Sequence, residues 1–321
     1  MYSRIAGTGS YLPERVVTNH DLEQMVDTTD EWIRSRTGIE RRHVAAEGET
    51  TLDLSEHAAR LAMEAAGVAP RDIDFLVIGT LTPDLVFPNV ACLLQERMGI
   101  HGCPAFSLET ACSGFVYGLS IADKFITTGQ AKCALVIGAE TLSRVLDWED
   151  RATCVLFGDG AGAAILQRAE EPGIMSTHLG ADGQHACLLY HPYGPSKPQT
   201  AEDAERPFIQ MRGNELFKVA VKTLERCVQD ALQANDIDRS EIDWFVPHQA
   251  NIRIIQAMAK RLEMPMEKVI LTLQEHGNTS AASVPMALDV AVRDGRIKRG
   301  DLLLLETFGG GITWGSALIR Y

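Results

Sequence analysis

Thr110-Ala111-Cys112-Ser113-Gly114 in the first half of the chain and His276-Gly277-Asn278-Thr279-Ser280 in the second are the stretches whose comparison decides the fold. Working outward from each, the same landmarks follow in the same order. Glu140 lies 28 residues after Cys112, closing the apolar run Cys133 to Ala139, and Glu306 lies 28 residues after Asn278, closing Leu302 to Leu305. Each interval holds a small-residue-rich helical stretch, a glycine suited to a helix C-terminal cap (Gly129, Gly295), a lysine (Lys132, Lys298) and an apolar strand. Upstream, Ile73 to Ile78 and Ile242 to Pro247 are matching apolar runs, each behind an alanine-rich helical stretch. Downstream, Phe157-Gly158-Asp159-Gly160 and Phe308-Gly309-Gly310-Gly311 each lead into a closing strand. The chain therefore reads as a duplication. The alternation of helix and buried strand predicts an α/β fold in two similar halves, residues 1–170 and 171–321, with helices covering central sheets. Cys112 and Asn278 read as equivalent positions that face one another across the join, near a pseudo-twofold axis, where ligand pockets are common. The stretch from Asp182 to Pro207, rich in Pro, Gly and polar residues, reads as a long functional loop.

Bulk properties narrow the function classes. A formal charge of −13 on 321 residues argues against nucleic-acid binding, which needs a basic face. With 45% hydrophobic and 23% charged residues and mean hydropathy −0.04, a sizeable core is expected. No run approaches the ~18 apolar residues of a membrane span, and the start of the chain has no signal-peptide pattern. The seven cysteines are odd in number and lack C-x-x-C spacing, which fits a reduced cytoplasmic protein without a zinc site or disulfide framework. No metal or redox cofactor is expected.

Three side chains carry chemistry. Cys112 begins the helical stretch Cys112 to Ile126, where free amides and the helix dipole are expected to lower a thiol from about 8.5. A buried inert thiol is the alternative, and it is the reading for the other cysteines. His248 ends an apolar strand, where α/β proteins open onto ligand crevices; a hydrogen-bonded structural histidine is its alternative. Asn278 is a neutral donor or a helix cap. The glycine-rich turns lack the Gly-Lys-Ser/Thr ending of a phosphate loop, so the triplet after Phe308 reads better as backbone N–H groups presented to an oxyanion. Lys218, Lys222, Arg253, Lys260 and Arg261 fall on helical faces: either a solvated surface or a basic patch for an acidic partner.

These motifs resemble the thiolase superfamily, and within it the β-ketoacyl-acyl carrier protein synthase III family. The resemblance runs from Gly7-Thr8-Gly9-Ser10-Tyr11-Leu12-Pro13 to Trp314-Gly315-Ser316-Ala317-Leu318, through Thr29-Asp30-Glu31-Trp32-Ile33, Arg36-Thr37-Gly38-Ile39, Phe157 to Gly162 and Gly277 to Ser283. It implies a thiolase-like fold layered α-β-α-β-α. It also implies an acyltransferase: Cys112 takes the acyl group of acetyl-CoA, malonyl-acyl carrier protein loses CO2, and the enolate attacks the acyl-enzyme. His248 and Asn278 match the other members of the family's catalytic trio. The Cys112 and Gly310 amides match its oxyanion hole. Trp32 and Arg151, with Arg36 and Thr37, match its CoA site. Gln249-Ala250-Asn251-Ile252-Arg253 matches the carrier-docking segment, which gives Lys218, Lys222, Lys260 and Arg261 a purpose. Phe87, Leu142 and Phe157 are expected to form the acyl pocket, with Phe87 reaching into the partner of a homodimer. CoA thioester is substrate, not cofactor. A branched or medium-chain primer, a secondary-metabolite pathway, and a non-catalytic carrier-binding scaffold are the competing readings.

Overall fold

The computed structural model describes residues 1–198, 200–201 and 207–321. Residues 199 and 202–206 of the long second-half loop lie outside that range. Strands β1 (Tyr2–Tyr11), β2 (Phe75–Gly79), β3 (Ala105–Leu108), β4 (Cys133–Glu140) and β5 (Gly160–Ala169) form a sheet in the order β1-β5-β4-β2-β3. The β2–β3 and β2–β4 pairs are parallel; β4–β5 and β5–β1 are antiparallel. The second half repeats the plan. Strands β6 (Ile174–Ala181), β7 (Trp244–Pro247), β8 (Leu302–Gly309) and β9 (Thr313–Arg320) lie in the order β6-β9-β8-β7. Again the β7–β8 pair is parallel and the other two pairs antiparallel. The fifth strand is reduced to a parallel bridge between Phe245 and Val269.

Alternation along each strand assigns its two faces to different layers. Helices α1 (Thr51–Ala66) and α2 (Val90–Met98) cover the outer face of the first sheet, packing Leu54 and Leu94 on Ile78 and Leu135. Helices α3 (Gly114–Thr127), α4 (Gly213–Asn235), α5 (Ile252–Arg261) and α6 (Ser283–Arg293) are the other helices of the layers, and a shorter helix over Asp30–Thr37 carries Trp32 and Arg36. α4 and α5 cover the outer face of the second sheet, where Leu224 and Ile255 meet Leu304 and Leu318. α3 and α6 lie between the sheets, where Phe115, Leu119, Val284 and Leu288 join Val136 and Leu305 in one cluster. The result is the expected α-β-α-β-α layering. Missing side chains let the central layer sit close: a Cβ on Gly79 would lie 2.6 Å from the Gly114 backbone, and one on Gly138 2.0 Å from the Ala281 carbonyl oxygen.

The repeat is real, but its register at the central turns differs from the one the matched spacings predict. Ala111 and Ser280 both hold left-handed φ, 49° and 50°. Each opens a one-turn 3-10 segment, Ala111–Ser113 or Ser280–Ala282, behind a threonine of similar backbone (φ −108°, ψ 26° at Thr110; φ −97°, ψ 22° at Thr279). Each segment then runs into a central helix, at Gly114 or Ser283. The counterpart of Cys112 is therefore Ala281, not Asn278. Strand contacts agree: Asp74 N–H donates to Cys133 O at 3.0 Å and Asp243 N–H to Leu302 O at 2.9 Å. The cause is helix length. α3 has 14 residues and α6 has 11, and the turn after α6 is correspondingly longer, so Gly129 and Gly295 match while the flanking segments are offset by three. In this register Glu306 stands opposite Ile137, and Glu140 opposite Gly309.

Candidate active site

The close approach of β8 to the turn before α3 sets the centre. Thr307 Oγ1 donates to the Cys112 carbonyl at 2.6 Å, the counterpart of the bare contact between Gly138 and Ala281. A Cβ on Gly309 would lie 2.7 Å from the Cys112 nitrogen, so the chain crosses here at backbone contact. Cys112, His248 and Asn278 all line one cavity of about 130 Å3, with Phe157, Glu306 and Phe308. Cys112 also borders a second cavity of about 720 Å3, shared with Leu142, Phe157, Leu189, Ser280 and Gly310. The sulfur thus sits where two chambers meet.

Burial pushes the Cys112 thiol up to about 12; the Ser280 hydroxyl opposes the rise and the nearby Glu140 adds to it. The expected lowering by a helix start is not observed. The α-helix proper starts at Gly114, behind the 3-10 turn that carries Cys112, and desolvation outweighs it. The resting group is a thiol, so its proton has to leave as the sulfur attacks.

His248 follows β7 and is buried, its backbone N–H held by the Glu306 carbonyl at 2.8 Å. Burial pushes its ring down to about 4, so it is neutral near pH 7. Ser283 Oγ accepts the Gln249 N–H at 2.7 Å and lies 3.0 Å from His248 Nδ1. The Ser283 hydroxyl keeps its own proton to donate to Nδ1, and in that arrangement the ring proton sits on Nε2, the tautomer that gives the chamber a donor. Nε2 has no partner among the described residues. Asn278 is fixed through its backbone, donating to Leu156 O at 2.8 Å and accepting from Gly158 N at 3.0 Å. Its Oδ1 accepts the Ser280 N–H at 2.9 Å, which leaves the NH2 end as the donor for the cavity it lines. Two neutral donors, Nε2–H and Nδ2–H, thus come from facing segments.

Two glutamates lie beside this centre. Glu140 is fully buried and bridges the halves: Thr80 Oγ1, Thr82 Oγ1, the Leu81 N–H and Ser280 Oγ donate to it at 2.8–3.2 Å. Burial still lifts its carboxyl to about 7. Glu306 has no such donors among the described residues, and burial lifts it to about 8. In the sequence both are landmarks of the repeat, and an acidic residue directly after an apolar run is the signal that marks them. Nothing in the sequence pattern marks Ser280 and Ser283.

The other predicted positions divide. Arg151 lies 4.8 Å and Arg36 5.5 Å from the Trp32 ring centroid, so these three gather in one cation–π cluster. Asn251, which lines the smaller cavity, donates to the Arg36 carbonyl at 3.1 Å and joins that cluster to α5. Thr37 does not belong with them: it is buried and its hydroxyl donates to Ile33 O and accepts from Ile39 N, closing its own helix. Gln249 is also corrected. Its buried carboxamide donates to Pro247 O and Ile270 O and accepts from Thr272 N and Leu273 N, so it ties strand to loop and is closed to a surface partner. Arg253 is exposed and packs 5.6 Å over the Phe217 ring, next to the half-exposed Ala250, Asn251 and Ile252. Lys218, Lys222 and Lys260 are exposed, while Arg261 pairs with Glu225 at 2.8 Å. Leu142 and Phe157 line the larger cavity. Phe87 lines neither; it projects 84% exposed, with Leu81, Leu85 and Val86 exposed around it. Among the described residues, no group of three or more His, Cys, Asp or Glu could hold a metal ion and no helix is long and apolar enough to cross a membrane.

Comparison with known proteins meets this geometry. Family models described as 3-oxoacyl-[acyl-carrier-protein] synthase III match residues 106–183, and as its C-terminal part residues 232–321. The β-ketoacyl-[acyl-carrier-protein] synthase III of Thioalkalivibrio sulfidiphilus is 63% identical over 320 residues, covering 100% of this chain and 99% of that protein. That of Alkalilimnicola ehrlichii is 64% identical over 321 residues, with the same coverage. The crystal structure of 3-oxoacyl-[acyl-carrier-protein] synthase III from Aquifex aeolicus superposes with a TM-score of 0.94 at 47% identity, covering 99% of this chain and 100% of that one. The priming β-ketosynthase of the R1128 polyketide pathway also superposes, with a TM-score of 0.94 at 37% identity over 99% of this chain and 96% of its own. With this identity over its full length, and with thiol, imidazole and carboxamide on one cavity, the chain belongs to the β-ketoacyl-[acyl-carrier-protein] synthase III family.

Proposed function

We propose that the protein is the initiating condensing enzyme of type II fatty acid synthesis, joining an acyl-CoA primer, most simply acetyl-CoA, to malonyl-acyl carrier protein. The observation that carries this is the meeting of Cys112, His248 and Asn278 on one cavity, with two neutral donors facing the sulfur's chamber. In the first half-reaction Cys112 sulfur attacks the thioester carbonyl, the bond to CoA sulfur breaks, and the thiol proton leaves with CoA. The Cys112 and Gly310 N–H groups serve the carbonyl oxygen of the acyl chain. In the second, malonyl-carrier protein loses CO2, and the charge that develops on its thioester oxygen meets His248 Nε2–H and Asn278 Nδ2–H. Neither donor needs to be a cation, which suits a ring held neutral by burial.

Trp32, Arg36 and Arg151 are assigned to the adenine end of CoA. Arg253, with Lys218, Lys222 and Lys260 on the same flank, is assigned to the acidic carrier. The apolar projection at Phe87 is assigned to a homodimer contact, and the division at residues 170 and 171 to two halves of one catalytic unit. The test supplies acetyl-CoA and malonyl-carrier protein together. Stoichiometric CO2, CoA and acetoacetyl-carrier protein are expected; acetyl exchange onto the carrier without CO2 would contradict the reading.

A second reading is favoured by one observation. The chamber of about 720 Å3 that Cys112 borders opens to solvent past the exposed Leu81, Tyr190 and Tyr193, and its apolar lining of Leu142, Val145, Phe157 and Leu189 gives a longer or branched primer somewhere to lie. A panel of acyl-CoA competitors separates the two: the best primer has the highest kcat/KM.

A further inference from the structure

Glu306 is a carboxyl where the fold calls for a hydrocarbon. Its counterpart across the repeat, Ile137, is fully buried in the apolar packing under α1 and α2. Glu306 is only 2% exposed, its Oε1 is an orphan, and its side chain makes no hydrogen bond or ion pair with any described residue. Glu140, with its four donors, shows how this molecule ties down a glutamate that serves the fold. Glu306 instead lines the chamber of Cys112, His248 and Asn278. The titratable groups that line this chamber with it are Cys112 from the turn before α3 and His248 from the end of β7; Cys227 of α4 feels its charge, Glu140 lies near Cys112 on the side of Ser280, and α5 contributes Ile254 and Ile255. None of these is a cation near neutral pH. Burial therefore keeps the carboxyl protonated there, with its value raised to about 8.

The reaction proposed above, on which this inference rests, consumes one proton. Acetyl transfer needs none from outside, because the thiol proton leaves with CoA. Condensation does: when the enolate carbon bonds to the acyl carbon, the bond from that carbon to Cys112 sulfur breaks and the electron pair stays on sulfur. His248 is neutral and Asn278 does not titrate, so neither stocks a proton for it, and the four donors that hold the Glu140 carboxyl favour its ionised form, whereas nothing among the described residues opposes protonation of Glu306. We propose that Glu306 is a further catalytic acid of the condensing half-reaction, giving the departing Cys112 sulfur its proton across the chamber. The O–H bond of Glu306 breaks, an S–H bond forms, and the carboxylate left behind takes a proton from solvent before the next turnover.

The experiment times the two half-reactions separately in the full-length protein and in Glu306→Gln, which keeps shape and loses the acid. Acetylation of Cys112 by acetyl-CoA should stay within about 3-fold of the parent, and condensation should fall about 100-fold, the usual worth of a general acid. Condensation by the parent should also decline as pH rises past about 8, where the acid form is lost, while acetylation does not decline. A Glu306→Gln protein that condenses within about 3-fold of the parent overturns the proposal. Should that variant fail to acetylate at all, the parent's profile decides: condensation that stays flat from pH 7 to well above 8 overturns it as well. Failure of the underlying functional reading is distinguishable, because it appears in the parent as an absence of β-ketoacyl product.

Discussion

At Cys112, burial holds the thiol up to about 12, so the nucleophile is generated only as it attacks. Cys112→Ser keeps the volume and removes the soft sulfur; acyl transfer should vanish while the melting temperature stays within a few degrees, read by an acyl-CoA turnover assay beside calorimetry. His248→Ala and Asn278→Ala each remove one donor from the thioester oxygen. Each should lower decarboxylation of malonyl-carrier protein by about 100- to 1,000-fold while leaving Cys112 acetylation measurable; labelled CO2 released at the parent rate would contradict the role. Glu306 gives a stability prediction of definite sign. Its folded value, about 8, exceeds its ordinary 4.5, so the native state keeps a proton that the unfolded chain loses. Its contribution is intact below pH 4.5 and is lost as pH rises toward 8. Glu306→Gln does not titrate, so denaturant melts should show it gaining on the parent at high pH relative to pH 5. Among these residues the trio was legible because a thiol, a ring and a carboxamide each stood beside an apolar run. Glu306, Ser280 and Ser283 were not, because partner and orphan status exist only once the strands and turns have packed.

The elements matter here through how closely they approach. Gly138 on β4 lies under the Ala281 carbonyl, and an added Cβ at 2.0 Å has only backbone to push against. Gly138→Ala should therefore cost about 2 kcal/mol or more in urea melts, at the severe end of overpacking, and should displace the turn that carries Asn278 and Ser280. On the outside of the second sheet, Arg253 at the start of α5 tests docking. Arg253→Glu should raise the KM for malonyl-carrier protein several-fold and leave that for acetyl-CoA nearly unchanged, since the charge lies on the surface and the fold does not use it. Equal changes in both would point to a distorted α5. The helices and strands themselves were readable from apolar runs, alanine-rich stretches and cap glycines. The register was not. One turn fewer in α6 and a longer turn after it cancel over the interval, so equal spacings of 28 matched Asn278 to Cys112 where the backbone matches Ala281.

For the whole molecule, duplication explains why a centre spread over both halves comes together. Two like sheets stack on a shared layer formed by α3 and α6, and the turns that open these helices meet at the join. The layered fold was legible because each half repeats its landmarks in order. The division of the interior into two chambers was not, since it depends on side chains from both halves and from the long second-half loop. The Leu81 to Phe87 segment leaves an exposed apolar surface, and if the homodimer contact proposed above forms there, Phe87→Asp should lower the mass in sedimentation equilibrium from that of two chains to that of one; a parent that sediments as one chain would contradict the contact. The most direct measurement is peptide-resolved mass spectrometry after brief exposure to acetyl-CoA alone. The account predicts a gain of about 42 Da on the peptide carrying Cys112, removed when malonyl-carrier protein is added. A gain on any other cysteine, or an adduct on Cys112 that malonyl-carrier protein leaves in place, would contradict it.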